Sequence, residues 1–198
     1  MRYLFFILLI FSFSFKGNDI PTNPKVESWI IEKKSSISIE GSSNINSFVC
    51  ELREYLKADT LTCKKDEKYC KLIFAKSILS LDIKKFDCHQ KFITSDFRKM
   101  MQEDQYPSLI IQFISLDDIQ SNGIVNGKVE IQLAGRKRLM DVQYNKTVVA
   151  NNQIMLEGGK LLRFSDFELR PPTKLGGMIR INEDIKVNFN LFFHKNAS

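Results

Sequence analysis

Lys186-Val187-Asn188-Phe189-Asn190-Leu191-Phe192-Phe193 puts apolar side chains at 187, 189, 191 and 193 and, as far as 190, a polar one between each pair. Successive side chains of an extended strand point to opposite faces, so this spacing predicts a strand with one buried and one solvated face. Val129, Ile131 and Leu133 repeat it against Lys128, Glu130 and Gln132, and Ile37 and Ile39 repeat it against Ser38 and Glu40. Further strands are expected over 47–52, 72–83, 109–116, 140–149, 153–164 and 178–181. Turn signals separate them at Asn122-Gly123, Asn126-Gly127, Gly158-Gly159 and Gly176-Gly177. One segment departs from period two. Ile93, Phe97, Met100 and Met101 fall at i, i+4, i+7 and i+8, predicting a single amphipathic helix over 92–103, with Ser95 and Asp96 as caps and Tyr106-Pro107 as its stop. Many antiparallel strands with one helix indicate an all-β protein, a closed barrel or a sandwich, and closure into an eight-stranded barrel would remove exposed edges while leaving room for one small ligand.

The chain has 198 residues with 43% hydrophobic content, enough for one domain and one core. Arg2 precedes an apolar run from Tyr3 to Phe15 that is too short for a membrane span and has the layout of a signal peptide, expected over 1–15 with a linker over 16–26 and the domain over 27–195. The expected location is periplasmic or secreted. The net charge is +6, but Lys and Arg are scattered among acids without stacking aromatics, so no nucleic-acid partner is expected. Contact with anionic membrane headgroups stays open, and the oligomeric state is not legible.

Cys50, Cys63, Cys70 and Cys88 are an even set in a chain read as exported, where disulfides persist. The pairing expected is Cys63 with Cys70, clipping a hairpin, and Cys50 with Cys88 over the longer loop. A zinc knuckle would space its ligands more tightly than Cys63 and Cys70.

No constellation for catalysis stands out. The two histidines, His89 and His194, sit in no recognisable setting. The pairs Asp117-Asp118 and Glu183-Asp184 read as solvated turns, and the glycine pairs lack the lysine and following helix of a phosphate loop. No metal or cofactor is expected, and the sequons at Asn145 and Asn196 are read as chance matches. The inward strand positions, among them Phe113, Phe164, Phe189 and Phe193, are rich in apolar rings. They fit a filled core or the wall of an apolar hollow, and the residues alone leave both open.

Four strings together resemble the YceI-like family. They are Trp29-Ile30-Ile31 followed by SSISIEGSSNINSFVC (Ser35 to Cys50), FRKMMQEDQYPSLIIQF (Phe97 to Phe113), GKVEIQLAG (Gly127 to Gly135) and SDFELRPPTKLGGMIRINEDIKVNFNLFF (Ser165 to Phe193). The resemblance covers roughly Trp29 to Phe193. It implies a lipocalin-like barrel, not an enzyme, that carries a polyisoprenoid or fatty-acyl chain. Many members have a histidine in the opening strands, and this chain has none between Trp29 and Phe48. By alternation, the positions expected to touch the chain are Ile37, Ile39, Phe97, Met100, Leu109, Ile111, Phe113, Val129, Ile131, Leu133, Phe164, Phe189, Leu191 and Phe193, with Asp166 or Arg170 as headgroup partners at the mouth. The rival readings are an envelope interaction protein with a filled barrel and a lipid-modifying enzyme.

Overall fold

The computed structural model describes residues 26–52, 55, 57, 59–118, 122–171, 173, 174, 176 and 178–196. The signal segment over 1–15, the linker apart from Val26, and Gly177 lie outside the described residues. The strands are β1 (Val26–Ile31), β2 (Ser36–Ser42), β3 (Ser47–Leu52), β4 (Thr60–Asp66) and β5 (Lys71–Asp82). After helix α1 (Lys91–Met100) come β6 (Ser108–Asp117), β7 (Gly123–Leu133), β8 (Arg136–Ala150), β9 (Gln153–Arg163), β10 (Thr173–Lys174), β11 (Ile179–Arg180) and β12 (Asp184–Asn196).

The alternating stretch 186–193 lies in β12, and β12 closes the molecule. Its one edge pairs with β9 from Asp184↔Arg163 to His194↔Gln153. Its other edge is shared, with Lys186 to Asn190 against β2 and Phe193 to Asn196 against β1. Where β1 gives way to β2, the buried Ser35 hydroxyl accepts the Phe192 N–H at 2.9 Å and the Glu32 N–H donates to the Phe192 carbonyl at 2.8 Å, so the ladder loses no bond at the break. The ring β1-β4-β5-β6-β7-β8-β9-β12 is thus an eight-stranded antiparallel barrel, the expected architecture, and not a sandwich.

The strand directions define two ends. The base carries the β4–β5, β6–β7 and β8–β9 turns. The mouth carries the β2–β3 hairpin, α1 and the β10–β11 turn. At the mouth no strand among the described residues lies on the outer edge of β3, and that edge is sealed by other means. Glu51 and Asp87 exchange backbone hydrogen bonds at 2.8 and 3.0 Å, and Cys50 is disulfide-bonded to Cys88. The Cys88 N–H donates to Thr94 Oγ1 at 3.0 Å, which ties the seal to α1. The helix starts one residue earlier than its periodicity suggests, after Gln90, so Ser95 and Asp96 lie within it and do not cap it.

Two expectations are corrected. Cys63 and Cys70 are both free. Cys63 lies opposite Phe74 in the β4–β5 ladder, whereas Cys70 sits past the strand ends in the turn, facing the position of Glu67. The offset of four residues along a strand is about 13 Å, well beyond the roughly 7 Å that a disulfide spans. Gly127 and Gly158-Gly159 are strand interiors, not turns, and two of these glycines make room for rings. A Cβ on Gly127 would lie 2.8 Å from the Tyr144 ring, and one on Gly158 would lie 2.8 Å from the Phe189 ring. The sequence reading also overlooked β4, whose Leu61 and Cys63 point inward between outward Thr60, Thr62 and Lys64. There Ser77, at a bulge in β5, accepts the Thr62 N–H at 3.0 Å and donates to the Thr62 carbonyl at 3.1 Å.

Burial pushes the Cys63 thiol up to about 12, with Glu27 adding to the shift, so Cys63 stays protonated and shielded. Ellman's reagent is expected to find one thiol, Cys70, in the native protein and a second only after unfolding. Replacing Cys50 and Cys88 by serine releases a loop of sequence separation 38 and is expected to lower the unfolding free energy by about 4 kcal/mol in denaturant titrations.

Candidate apolar binding site

The interior divides into two halves of different character. In the base half, Trp29 of β1, Phe74 of β5, Phe113 of β6 and Phe193 of β12 form a closed cycle of ring contacts, with centroid separations of 5.8, 5.6, 6.3 and 5.8 Å. Tyr144 and Phe189 add a second contact at 5.0 Å. Edge-to-face and tilted rings at these distances fill space efficiently. Of the rings expected on the wall of a hollow, Phe113 and Phe193 are packed against each other and against Phe74 and Trp29, and Phe189 is packed against Tyr144. Ile37 and Leu191 pack beside Ile31, Tyr55 and Leu79 with no room for a water between them. Val129 and Phe164 are core residues at 2% and 1% exposure.

Below the rings the base is polar. Lys146 points inward from β8 and is 5% exposed, and burial lowers its ammonium pKa, helped by Lys195 and opposed by Asp118 and Glu27. Lys195 sits over the Trp29 ring at 4.7 Å, and the Trp29 indole donates to Glu27 at 3.1 Å. Charged groups that are paired and capped by rings make a floor that an apolar chain cannot cross without uncovering them.

The mouth half is looser. A void of about 40 Å³ lies among Ile39, Leu109, Ile111, Ile131, Leu133 and Phe97, with Ile83, Phe86, Met101 and Phe167 around it. Ile111 and Ile131 face each other across β6 and β7. Phe97 separates this void from a second, larger space. On its other side a groove of about 510 Å³ runs between α1 and the β2–β3 hairpin, lined by Phe48, Phe92, Ile93, Phe97, Met100 and Ile181, with Ile45 and Ile179 at its rim. Its volume falls within the range of small-molecule sites. Lys99 and Asp96 are its charged edges. Asp166 and Arg170 are not part of it, and the Asp166 carboxylate is occupied by the Arg163 N–H at 3.0 Å.

Of the positions expected from alternation, the structure gathers Ile39, Phe97, Leu109, Ile111, Ile131 and Leu133 around the void and adds Met100 in the groove. Ile45, Phe48, Ile93 and Ile181 line the groove without having been singled out as contacts. Two of them carried a usable signal: Ile93, on the same helix face as Phe97 and Met100, and Ile45, a lone large apolar residue in the polar turn Ser43-Asn44-Ile45-Asn46.

His89 lies beside α1, with Nε2 3.6 Å from Glu51, and His194 lies in β12 toward the base, so the fold does not bring them together. Among the described residues no three His, Cys, Asp or Glu side chains converge as a metal site.

With this geometry in hand, solved structures supply the comparison. A polyisoprenoid binding domain from Saccharophagus degradans, described as implicated in plant cell wall breakdown, superposes with a TM-score of 0.63 at 13% identity, over 85% of this chain and 98% of its own. BcnA of Burkholderia cenocepacia gives 0.58 at 12% identity, over 80% and 96%. The YCEI protein of Campylobacter jejuni gives 0.51 at 13% identity, over 70% and 81%. The fold is the YceI-like barrel. No protein-family model matches the sequence, and no curated protein matches it.

The packing of the base half makes a prediction. A Cβ on Gly158 would lie 2.7 Å from the Gln143 carbonyl oxygen as well as against Phe189, whereas one on its neighbour Gly159 meets the Asn188 amide oxygen at 2.9 Å, the flexible Lys186 tip at 3.4 Å and the Val187 carbonyl oxygen at an ordinary 3.5 Å. Gly158→Ala is therefore expected to destabilise the fold by about 2 kcal/mol, and Gly159→Ala by clearly less, as read by thermal or denaturant unfolding.

Proposed function

We propose that this protein is an exported binder and carrier of an apolar or amphiphilic chain, of polyisoprenoid or fatty-acyl type. The chain is taken up at the mouth and not along the whole barrel. The observation that carries this reading is the 510 Å³ apolar groove, which shares the Phe97 ring with the lining of the 40 Å³ interior void. A chain lying in the groove reaches the upper interior if Phe97 and the adjacent Met100 and Met101 change rotamer, and methionine adapts to such changes readily. Each methylene buried is worth about 0.8 kcal/mol, so a dozen give roughly 10 kcal/mol before the costs of association. The aromatic cycle and polar floor limit how deep the chain runs. The solved relative described as a polyisoprenoid binding domain has this fold. The Cys50–Cys88 disulfide supports export, because such bonds persist in oxidising compartments.

The filled base half favours a second reading, in which the barrel is a rigid scaffold for a protein partner in the cell envelope. The two readings part on uptake. Mass spectrometry of organic extracts of the purified protein is expected to find a co-purified chain. Ile93→Asp or Met100→Asp, at half-buried groove positions, is expected to weaken binding of a fluorescent fatty acid by about tenfold or more, since an unpaired charge would line the apolar site. Phe113→Ala, in the base, is expected to lower stability by about 3 kcal/mol while leaving uptake within a factor of about two. A protein that emerges empty and ignores fatty-acyl and isoprenoid probes favours the scaffold.

A further inference from the structure

Three large apolar side chains stand out from three different segments around the groove: Ile45 at the tip of the β2–β3 hairpin, Phe92 in the first turn of α1, and Met178 just before β11. They are 64%, 66% and 74% exposed. Their segments are firmly held. Asn44 donates its backbone N–H to the Arg180 carbonyl at 3.1 Å and its side-chain amide to the Met178 carbonyl at 2.8 Å, and its amide oxygen accepts the Arg180 N–H at 2.9 Å. The β2–β3 tip and the β11 approach are thereby one clamped unit. The start of α1 is anchored by the disulfide at Cys88 and the Thr94 bond to its backbone. A fold that fixes three apolar tips in water, on segments that flank an apolar groove, presents apolar surface of the kind that marks an interaction site.

The charge around the tips identifies the partner. Segments 42–47, 91–100 and 178–182 carry Lys91, Arg98, Lys99 and Arg180 against the single acid Asp96. The other acids of this end stand outside these segments: Glu51 of β3 lies 3.6 Å from His89, Asp87 precedes α1, Glu103 pairs with Lys84 at 3.4 Å, and Glu168 pairs with Arg136 at 2.5 Å. Apolar tips within a locally basic rim match an anionic bilayer, whose headgroups attract the cations while its acyl region accepts the tips. We propose that the groove side of the mouth docks on an anionic membrane, with Ile45, Phe92 and Met178 inserted and the acidic loops tilted away. This goes beyond chain binding, although it would place the groove where a chain leaves or enters a lipid layer.

The test uses a Cys70→Ser background, so that the exposed native thiol is not labelled, with an environment-sensitive nitrobenzoxadiazole dye on Met178→Cys or, at the base, on Tyr69→Cys. With vesicles of phosphatidylcholine containing one-third phosphatidylglycerol, the dye at 178 is expected to brighten and shift to the blue. Partitioning should be about tenfold stronger than onto pure phosphatidylcholine and should be lost in high salt. The dye at 69 should not respond, and Ile45→Ser with Phe92→Ser should abolish the response at 178. No shift at 178, or an equal shift at 69, overturns the proposal. Uptake of a soluble fluorescent fatty acid is measured on the same samples. Uptake without insertion defeats docking alone, and insertion without uptake upholds docking while defeating the chain-binding reading.

Discussion

Closure at β12 is the constraint on which the rest of the structure depends. An open sheet of this length would present two rows of unpaired backbone groups. β12 removes them by pairing with β9 on one edge and with β1 and β2 in succession on the other. The break between β1 and β2 is where this closure would leak, and the Ser35 hydroxyl and the Glu32 N–H occupy the backbone of Phe192 at that point. Once the ring is shut, side chains at alternate positions of all its strands must share one interior.

That shared interior is used unequally. At the base β1 and β4 complete the ring, the strands are fully paired, and aromatic side chains from four of them meet in a closed cycle. At the mouth the chain leaves β1 for β2, β3 forms an outer edge, and among the described residues no strand fills the place beside it. The disulfide, the Glu51–Asp87 backbone pair and α1 cover the gap. A helix laid across a gap packs less tightly than a paired strand, since its side chains need not match the period of the sheet. The unfilled volume accordingly lies under and beside α1.

Much of this was legible in the residues. Period two over 37–40, 128–133 and 186–193 identifies strands and their inward faces, and period 3.6 over 93–101 identifies the helix, because each pattern follows from local backbone geometry. The Cys50–Cys88 bond was also legible. The Cys63–Cys70 bond was misread because spacing along the chain says nothing about which residues a hairpin register sets opposite each other, and that register places Phe74 opposite Cys63. The glycines at 127 and 158 look like turns in sequence for a related reason. What requires glycine there is an aromatic ring from a neighbouring strand.

The candidate site follows the same division. Which side chains face inward was determined by the sequence alone, since alternation is a property of each strand by itself. Whether an inward ring lines a hollow or fills one was decided only by tertiary structure. Phe113 and Phe193 are apolar and inward on any reading, yet their volume is taken up by Trp29 and Phe74, which reach them only after closure brings β1, β5, β6 and β12 around one axis. The groove is likewise a product of assembly, since its walls come from α1, the β2–β3 hairpin and β11, three segments far apart in the chain.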